Sequence, residues 1–525
     1  MEEETLQSLR AKANELLLRE EWSDSIQAYS NFISLSQNFV HLNQDQEHLI
    51  KLKKSLSLAY SNRAEARFRL KEYWEALEDC DEALKIGGSD FKTLLCKGRI
   101  FMDLNMYSAA LDCFKCGSFG PDASENAEML EGCLKKCLKV EGISRTGVFD
   151  VSDWVVGGFC GNVPDLAEFI GPIEVKKSGI SGRGLFAMKN IECGSVLLIT
   201  KAVATERVIL PQYQENGEDA RLVMWKSFVD MVVECAKRCT ITHDLISMLS
   251  NGENEDDLEI PQISEFKPET EKCNFRNNNF DMEKMLTILD VNSLVEDAIS
   301  AKVFGKNSDY HGVGLWVLAS LINHSCDPSV RRLHIGDHVI VHASKDVKAG
   351  EELTFAYYDV LTTLNKRREM AKSWGFYCNC NRCKYEEEVC PKQEMRELEM
   401  IIDRGVDMGV EVSKLEDSMR RWMVRGKGKG YLRASFWGAY SEVLLSEKLM
   451  RRWGRKIPTT EVVIDSIFDT VGSDGRLVRV AMEGLKKPGA NKLMEMERAM
   501  KLGRGLYGKG IRKQAMRTLL QRWHS

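Results

Sequence analysis

The sequence predicts a multidomain α+β chain: an N-terminal α-helical solenoid, a β-rich centre closed by a metal-binding segment, and an α-helical C-terminal domain. Three observations predict it. Residues 5–118 repeat a two-helix pattern with a period of about 34 residues. Between 170 and 358 short β-branched runs separated by glycines replace that pattern. After Cys390 the helical pattern returns, broken at 426–430, at Pro458 and at Pro488-Gly489. A chain of 525 residues is too long for one ordinary core, so several domains are expected.

The middle repeat is the clearest. Ala59-Tyr60-Ser61-Asn62-Arg63-Ala64 begins one helix, and Tyr73-Trp74-Glu75-Ala76-Leu77-Glu78-Asp79-Cys80 begins its partner, which ends near Ile86. Similar pairs run from Ala13 through Trp22 to Ile33 and from Lys97 through Tyr107 to Phe114. Small residues sit where helices cross and aromatics fill the gaps between them. The pattern resembles the tetratricopeptide repeat. A polar insertion at 37–46 interrupts the first pair, and a capping helix is expected over 123–140, so the repeat domain spans 1–140. Such repeats form a right-handed solenoid with a concave groove. Some tetratricopeptide domains clamp the C-terminal carboxylate of a chaperone tail. Arg10, Asn14, Asn62 and Lys97 fall near the positions of that clamp, but Thr93 stands where a lysine is expected. Ordinary groove polarity explains the same residues.

Residues 141–169 are Gly-rich and mixed, and read as a connector. The central domain is expected over 170–385, with strands at 196–200, 338–343 and 352–356. An inserted region at about 200–310 carries helical stretches at 220–249 and 281–303, with an acidic, Asn-rich mobile loop at 251–279 between them. The C-terminal domain takes 386–525.

Composition narrows the class. Hydrophobic residues make up 43% and charged residues 29%, a globular balance. The net charge of −5 asks for no nucleic acid. Residues 391–525 nevertheless hold 28 Lys and Arg against 17 Asp and Glu, an excess that suits either an acidic partner or a solvated helix surface. Met1-Glu2-Glu3-Glu4 does not resemble a signal or transit peptide, and no apolar run is long enough to span a bilayer. The sixteen cysteines are scattered, which fits a reducing home, cytoplasmic or nuclear, with thiols free or on metal. Cys113, Cys116, Cys133 and Cys137 follow the apolar periodicity of repeat helices and read as core residues, as do Cys235 and Cys239. Arg451-Arg452-Trp453-Gly454-Arg455-Lys456 is a basic cluster that reads equally as a nuclear-entry signal or an exposed helix end.

The chemistry is concentrated in four runs. Ser181-Gly182-Arg183-Gly184 opens the β-rich region, either as a turn that lets backbone amides approach a ligand or as a plain tight turn. Asn323-His324-Ser325-Cys326-Asp327-Pro328 comes next, then Glu351-Glu352-Leu353-Thr354-Phe355-Ala356-Tyr357, then Cys378-Asn379-Cys380-Asn381-Arg382-Cys383. Three cysteines at C-x-C-x2-C cannot close a tetrahedral site alone, because structural zinc takes four ligands. Cys326 is the natural fourth, with Cys390 as competitor.

In this order the runs resemble the SET-domain protein lysine methyltransferases, closest to the SMYD-type branch, over about residues 170–385. A tetratricopeptide N-terminus on such a domain also resembles a group of plant proteins. The resemblance implies S-adenosylmethionine (SAM) as methyl donor, a structural zinc, and a protein substrate, a histone in chromatin or another lysine-bearing protein. It implies that Ser181, Gly182 and Arg183 line the methionine end of SAM, and that Asn323 and His324 hold the cofactor. Tyr357 matches the tyrosine at the methyl-transfer channel, and Phe376 an aromatic that packs on the adenine. Cys326, Cys378, Cys380 and Cys383 match the zinc ligands, with the metal segment at 376–385. The tail resembles the helical domain that covers the substrate cleft. SMYD-type enzymes also carry a MYND zinc finger. Residues 200–310 hold only Cys235, Cys239, Cys273 and His243 as soft ligands, too few for its two metals, so the finger is expected to be absent.

The residues suit the reaction. A free lysine has a pKa of ~10.4, so a neutral amine at pH 7 costs about 4.6 kcal/mol. Walls such as Phe355, Tyr357 and Tyr358 disfavour the ammonium. Tyr357 would orient the amine and the polarised methyl group. No membrane and no sequence-specific nucleic-acid partner is expected. The rival is a scaffold whose central domain transfers nothing and whose repeats recruit partners.

Overall fold

The computed structural model describes residues 2–42, 46–88, 90–118, 127–209, 217–253, 258–267, 281–297, 299, 310–403, 407–485 and 492–522. The chain divides into two compact units, one essentially residues 1–145 and the other most of residues 146–525. Among the described residues no helix is long and apolar enough to cross a membrane.

The first unit is an array of antiparallel helix pairs. They are α1 (Glu2–Leu18) with α2 (Trp22–Leu42), α3 (Gln46–Arg69) with α4 (Tyr73–Gly87), and α5 (Phe91–Asp103) with α6 (Tyr107–Gly117), followed by α7 (Ala127–Thr146). Each pair closes through the same turn. Glu20, Lys71 and Asn105 all adopt left-handed backbone near φ 60°. The next amide bonds back across the turn, Glu21 to the Leu16 carbonyl, Glu72 to Arg67 and Met106 to Phe101, at 2.8–3.0 Å. The interval from 71 to 105 is the period read from the sequence, and that from 20 to 71 is half as long again. The polar insertion at 37–46 is therefore not a loop in its described part. It lengthens α2 and α3, and α3 starts at Gln46, well before Ala59. Residues 43–45 of that insertion and 123–126 of the expected cap lie outside the described residues.

Small buried residues let the helices close up: Ala13, Ala64, Ala76 and Ala83 are fully buried. A Cβ on Gly98 would meet the Phe114 ring at 2.4 Å. Asp79, also buried, takes Arg63 through both oxygens at 2.6 and 2.9 Å and Arg67 at 2.8 Å. Cys113 and Cys137 are buried as expected, but Cys116 is exposed and Cys133 half-exposed, so those two are not core residues.

The second unit contains the sheets. The largest has the order β1-β4-β10-β9, all antiparallel, from Phe169–Ile170, Val196–Lys201, His338–Ala343 and Val330–Ile335. Val339, Ile340 and Val341 are buried on both faces of β10, which accounts for the unbroken apolar run there. β2 (Ile173–Lys177) and β3 (Arg183–Ala187) form a hairpin, and β5 (Thr205–Ile209), β7 (Tyr310–Gly314) and β6 (Leu294–Val295) a third sheet. The last pair is short and parallel: β8 (Asn323–His324) against β11 (Thr354–Phe355). Trp316 is wholly buried in the core these sheets share, and its indole N–H donates to the Asp337 carbonyl at 3.0 Å.

Two expectations are corrected. In its described part the helix expected over 281–303 spans Met282–Asn292 and gives way to β6, where Asn292 turns its amide onto the Ser250 and Ile288 carbonyls at 2.6 and 2.7 Å; 298 and 300–303 lie outside the described residues. The loop expected over 251–279 is in part structured. Ile263–Phe266 forms a 3-10 turn whose apolar ends pack on the core, while 254–257 and 268–280, with Cys273, lie outside the described residues. The connector is bonded to the C-terminal segment. Val151 donates to the Gly510 carbonyl at 3.0 Å, and Arg522 donates to the Val156 carbonyl at 2.6 Å.

The C-terminal helices pack through glycines. A Cβ on Gly430, in helix Lys427–Ser435, would sit 2.0 Å from the Ser466 carbonyl oxygen in helix Thr460–Val471. Backbone cannot swing aside as a side chain can. Gly430→Ala is therefore expected to destabilise by about 1–3 kcal/mol despite alanine's better helix propensity. A thermal melt of the variant checks this; an unchanged or raised midpoint would contradict it. The basic cluster at 451–456 lies at an exposed helix end, with Arg451 on Glu447 at 2.5 Å and Arg452 on Asp407 at 2.9 Å. Pro488-Gly489 lies outside the described residues.

Candidate active site

The short β8–β11 pair builds the site. Thr354 pairs with Asn323 and Phe355 with His324, so the two motifs far apart in sequence become neighbours. From β8, the Asn323 amide nitrogen reaches the Ser181 carbonyl (3.1 Å), the Arg183 carbonyl (3.0 Å) and Glu352 Oε1 (2.9 Å). Glu352 also accepts from the Ser178 hydroxyl at 2.8 Å. That hydroxyl in turn accepts from the Ile180 amide, and the Ser178 amide donates to the Gly182 carbonyl, both at 2.8 Å. The 178–183 turn is thus strapped to Asn323 through side chains. The glycines have separate reasons. Gly182 has φ 47°, and a Cβ on Gly184 would meet Glu352 Oε1 at 2.4 Å.

The Arg183 backbone belongs to this turn, through its carbonyl on Asn323, while its side chain leads elsewhere. Its guanidinium donates to the Met248 carbonyl at 2.6 Å and the Glu259 carbonyl at 3.0 Å, anchoring the inserted region. The signal was absent from the sequence because both acceptors are backbone oxygens.

His324 is buried between the two motifs. Its Nδ1 accepts the Tyr357 amide at 3.0 Å, which leaves the ring proton on Nε2, 3.4 Å from Cys326 Sγ. Tyr357 donates its hydroxyl to the Ile322 carbonyl at 3.0 Å. Around it stand Phe355 at 5.2 Å, Trp374 at 5.3 Å and Phe376 at 6.1 Å between ring centroids. Phe376 also lies 5.4 Å from His324 and stacks on Tyr358 at 6.3 Å. This is a cluster of aromatic rings with one oriented hydroxyl, suited to desolvating a cationic amine and holding it in line. Trp374 carries no signal of its own in the sequence, although it lies two residues from Phe376, and Glu352, inside the Glu-Glu-Leu-Thr run, carries none for its bond to Asn323.

The Sγ atoms of Cys326, Cys378, Cys380 and Cys383 all lie within 4.8 Å of one another, and Cys326 and Cys378 are 3.9 Å apart. Four thiolates on a tetrahedral zinc at about 2.3 Å would be separated by about 3.8 Å, so the set fits that ion. Cys390 is buried but outside the group, an isolated thiol that burial pushes up to about 12. Cys326, not Cys390, completes the cluster. Its thiol is held far below the ordinary range by the neighbouring thiols of Cys378, Cys380 and Cys383.

Beside the cluster lies a buried ionic hub. Arg382 donates to the Cys326 carbonyl (3.0 Å), the Val360 carbonyl (2.8 Å), Glu386 (2.9 Å) and the Ser435 hydroxyl (2.8 Å). Arg367 meets the other Glu386 oxygen at 2.9 Å, and all three charged side chains are fully buried. Glu386→Gln would leave two buried guanidiniums sharing no carboxylate. We expect it to cost about 3–5 kcal/mol, read as a lowered denaturation midpoint. A loss below about 1 kcal/mol would show that water or a shifted partner compensates.

Residues 182–358 match the model of the SET domain family. The chain carries a SET domain. Several proteins similar to it are described as methyltransferases. The histone-lysine N-methyltransferase SMYD3 of Mus musculus is 41% identical over 78 residues, 15% of this chain and 18% of that protein. A protein described as a methyltransferase in Gibberella zeae is 24% identical over 72% of this chain and 52% of its own length. The histone-lysine N-methyltransferase SET5 of Eremothecium gossypii is 42% identical over 73 residues, 14% of this chain and 15% of that protein. The chain thus spans less than a fifth of SMYD3 and about half of the Gibberella protein. The SET match ends at Tyr358, so the cysteine triplet lies beyond it and is joined to the domain through Cys326.

Proposed function

We propose that the protein is a SAM-dependent protein-lysine N-methyltransferase. The observation that carries this is the placing of Tyr357. Its hydroxyl is fixed on the Ile322 carbonyl, its backbone on His324, and its ring within an aromatic cluster formed by Phe355, Trp374 and Phe376. SAM, when bound, supplies an electrophilic methyl group on a sulfonium. The residues that would hold it are the 178–183 turn, Asn323 and His324 behind that turn, and Phe376. Arg183 would contribute backbone, since its guanidinium is engaged elsewhere.

The chain's own part is to present a neutral amine in line with that methyl. Neutralising a lysine at pH 7 costs about 4.6 kcal/mol, and an aromatic channel that excludes water reduces the preference for the ammonium. Tyr357 and the carbonyl of Ile322 together orient what enters. The zinc that the four cysteines would hold has no open position and so takes no part in the reaction. It would pin the segment carrying Trp374 and Phe376 against the His324 strand.

The helix-pair unit is read as the recruiter of a protein partner. Tyr29 donates to Asn14 at 2.6 Å, Asn62 to Tyr29 at 3.0 Å and Lys92 to Asn62 at 2.8 Å, a polar row that continues across the pairs. Lys97 is paired with Asp81 and Arg10 with Ser55, and Thr93 is buried, so Lys92 would supply the charge for an acidic chaperone tail.

The test is calorimetric titration with SAM, followed by transfer from radiolabelled SAM to an array of histones and other proteins. Binding with labelled acceptors supports the enzyme. Binding of partners through the helix pairs with no SAM binding would favour a scaffold.

A further inference from the structure

The charge that the reaction does not account for is Arg332. It lies on β9, where successive side chains face opposite ways. Arg331 turns to Asp474 at 3.3 Å. Arg332, on the other face, lays its guanidinium 4.6 Å above the ring of Phe355, the same ring that stands 5.2 Å from Tyr357. Tyr357 and Asp297 are the groups whose charge acts on it, and burial draws its pKa down.

What sets Arg332 apart is its lack of partners. Among the described residues its guanidinium makes no hydrogen bond, and no carboxylate lies within ion-pair distance. The other guanidiniums nearby are engaged. Arg183 holds two carbonyls, Arg207 holds Glu296 and Asp337, and Arg331 holds Asp474. A half-buried guanidinium with one face on an aromatic ring still presents a planar fork of N–H donors at its edge. Those donors stay open to whatever enters the site, and the group that matches the fork is a carboxylate, bound through two parallel hydrogen bonds. A cation on the wall of an aromatic site also repels basic sequence around an incoming lysine.

We propose that Arg332 is a specificity-determining residue that receives a substrate carboxylate close to the target lysine. The substrate class is then a lysine next to an acidic side chain or next to a free C-terminus, not one within a basic run. This inference rests on the methyltransferase reading, and its test separates the two.

Lysine peptides carrying Glu, Gln or Lys within two residues on either side of the target would be compared, with one further pair ending in a free carboxylate or an amide. Binding would be followed by fluorescence anisotropy with S-adenosylhomocysteine present, and turnover by labelled transfer. A charge-assisted contact predicts about a tenfold preference for Glu over Gln. Arg332→Met should bring that ratio near one, Arg332→Lys should keep part of it, and Arg332→Glu should turn the preference toward Lys. Preference confined to the free-carboxylate pair would assign the contact to a C-terminus; preference in the Glu series would assign it to a side chain. Because each ratio is taken within one variant, partial unfolding does not produce it. Equal binding of Glu and Gln peptides by the wild-type protein, with no preference in the free-carboxylate pair either, overturns the inference, as does a preference that survives in Arg332→Met. Discrimination in binding without transfer to any peptide would instead count against the methyltransferase reading alone.

Discussion

Tyr357→Phe is expected to lower methyl transfer by about 100-fold or more while leaving the protein folded. The substitution removes one oxygen. The ring keeps its contacts with Phe355, Trp374 and Phe376, and the backbone keeps its bond to His324. The hydroxyl donation to the Ile322 carbonyl is lost. One partly buried hydrogen bond contributes about 1 kcal/mol to stability, so the fold should survive. The effect on rate is larger because, in the proposed site, the hydroxyl would be held where the amine and the methyl meet, and removing one such oriented group from an active site costs about 100–1000-fold. Single-turnover transfer from labelled SAM measures this directly. SAM affinity should change little, which separates a loss of orientation from a loss of cofactor. An unchanged rate would mean that Tyr357 is only a wall of the pocket.

Cys378→Ser combined with Cys380→Ser should abolish metal binding and weaken SAM binding together. The wild-type protein is expected to carry about one zinc per chain, because four thiolates complete one tetrahedral ion. Two remaining ligands cannot hold it. The consequences should spread in both directions. Cys326 follows closely on the strand that carries His324, and Cys383 belongs to the helix whose Arg382 and Glu386 form the buried hub. Releasing the metal would therefore unpin Phe376 from His324 and weaken the hub, so the midpoint of thermal unfolding should fall. Elemental analysis and calorimetry check both. Zinc retained at full occupancy in the double variant would contradict the assignment. Zinc lost with SAM affinity unchanged would confine the metal to a role in stability.

Much of this was legible in the sequence where local chemistry dictates it. The cysteine count of three asked for a fourth, and the Asn-His-Ser-Cys run supplied it. The repeat was legible because small and aromatic residues must recur wherever two helices cross. What escaped was set by distant backbone. Arg183 reads as part of a ligand turn, yet two carbonyls of the inserted region take its guanidinium. Carbonyls have no residue signature, so no motif could place it. Glu352 stands in a motif run with no role to be read for it, and the fold shows that Gly184 lacks a side chain where Glu352 packs. The helix ends were misread for a related reason. Helical periodicity at 281–303 does not reveal that Asn292 finds a carbonyl on another segment where the helix ends. Arg332 was invisible as a candidate because a charge on a strand normally faces water, and its face is decided by the register of β9 against β10.

The most direct test is to identify the methylated atom. Protein incubated with labelled SAM and its best acceptor from the array would be digested and the label located by mass spectrometry and amino-acid analysis. Methyl groups are expected on a lysine side-chain nitrogen, present with the wild-type protein and reduced about 100-fold with Tyr357→Phe. Label on any other atom, or equal lysine labelling by the two proteins, would contradict it.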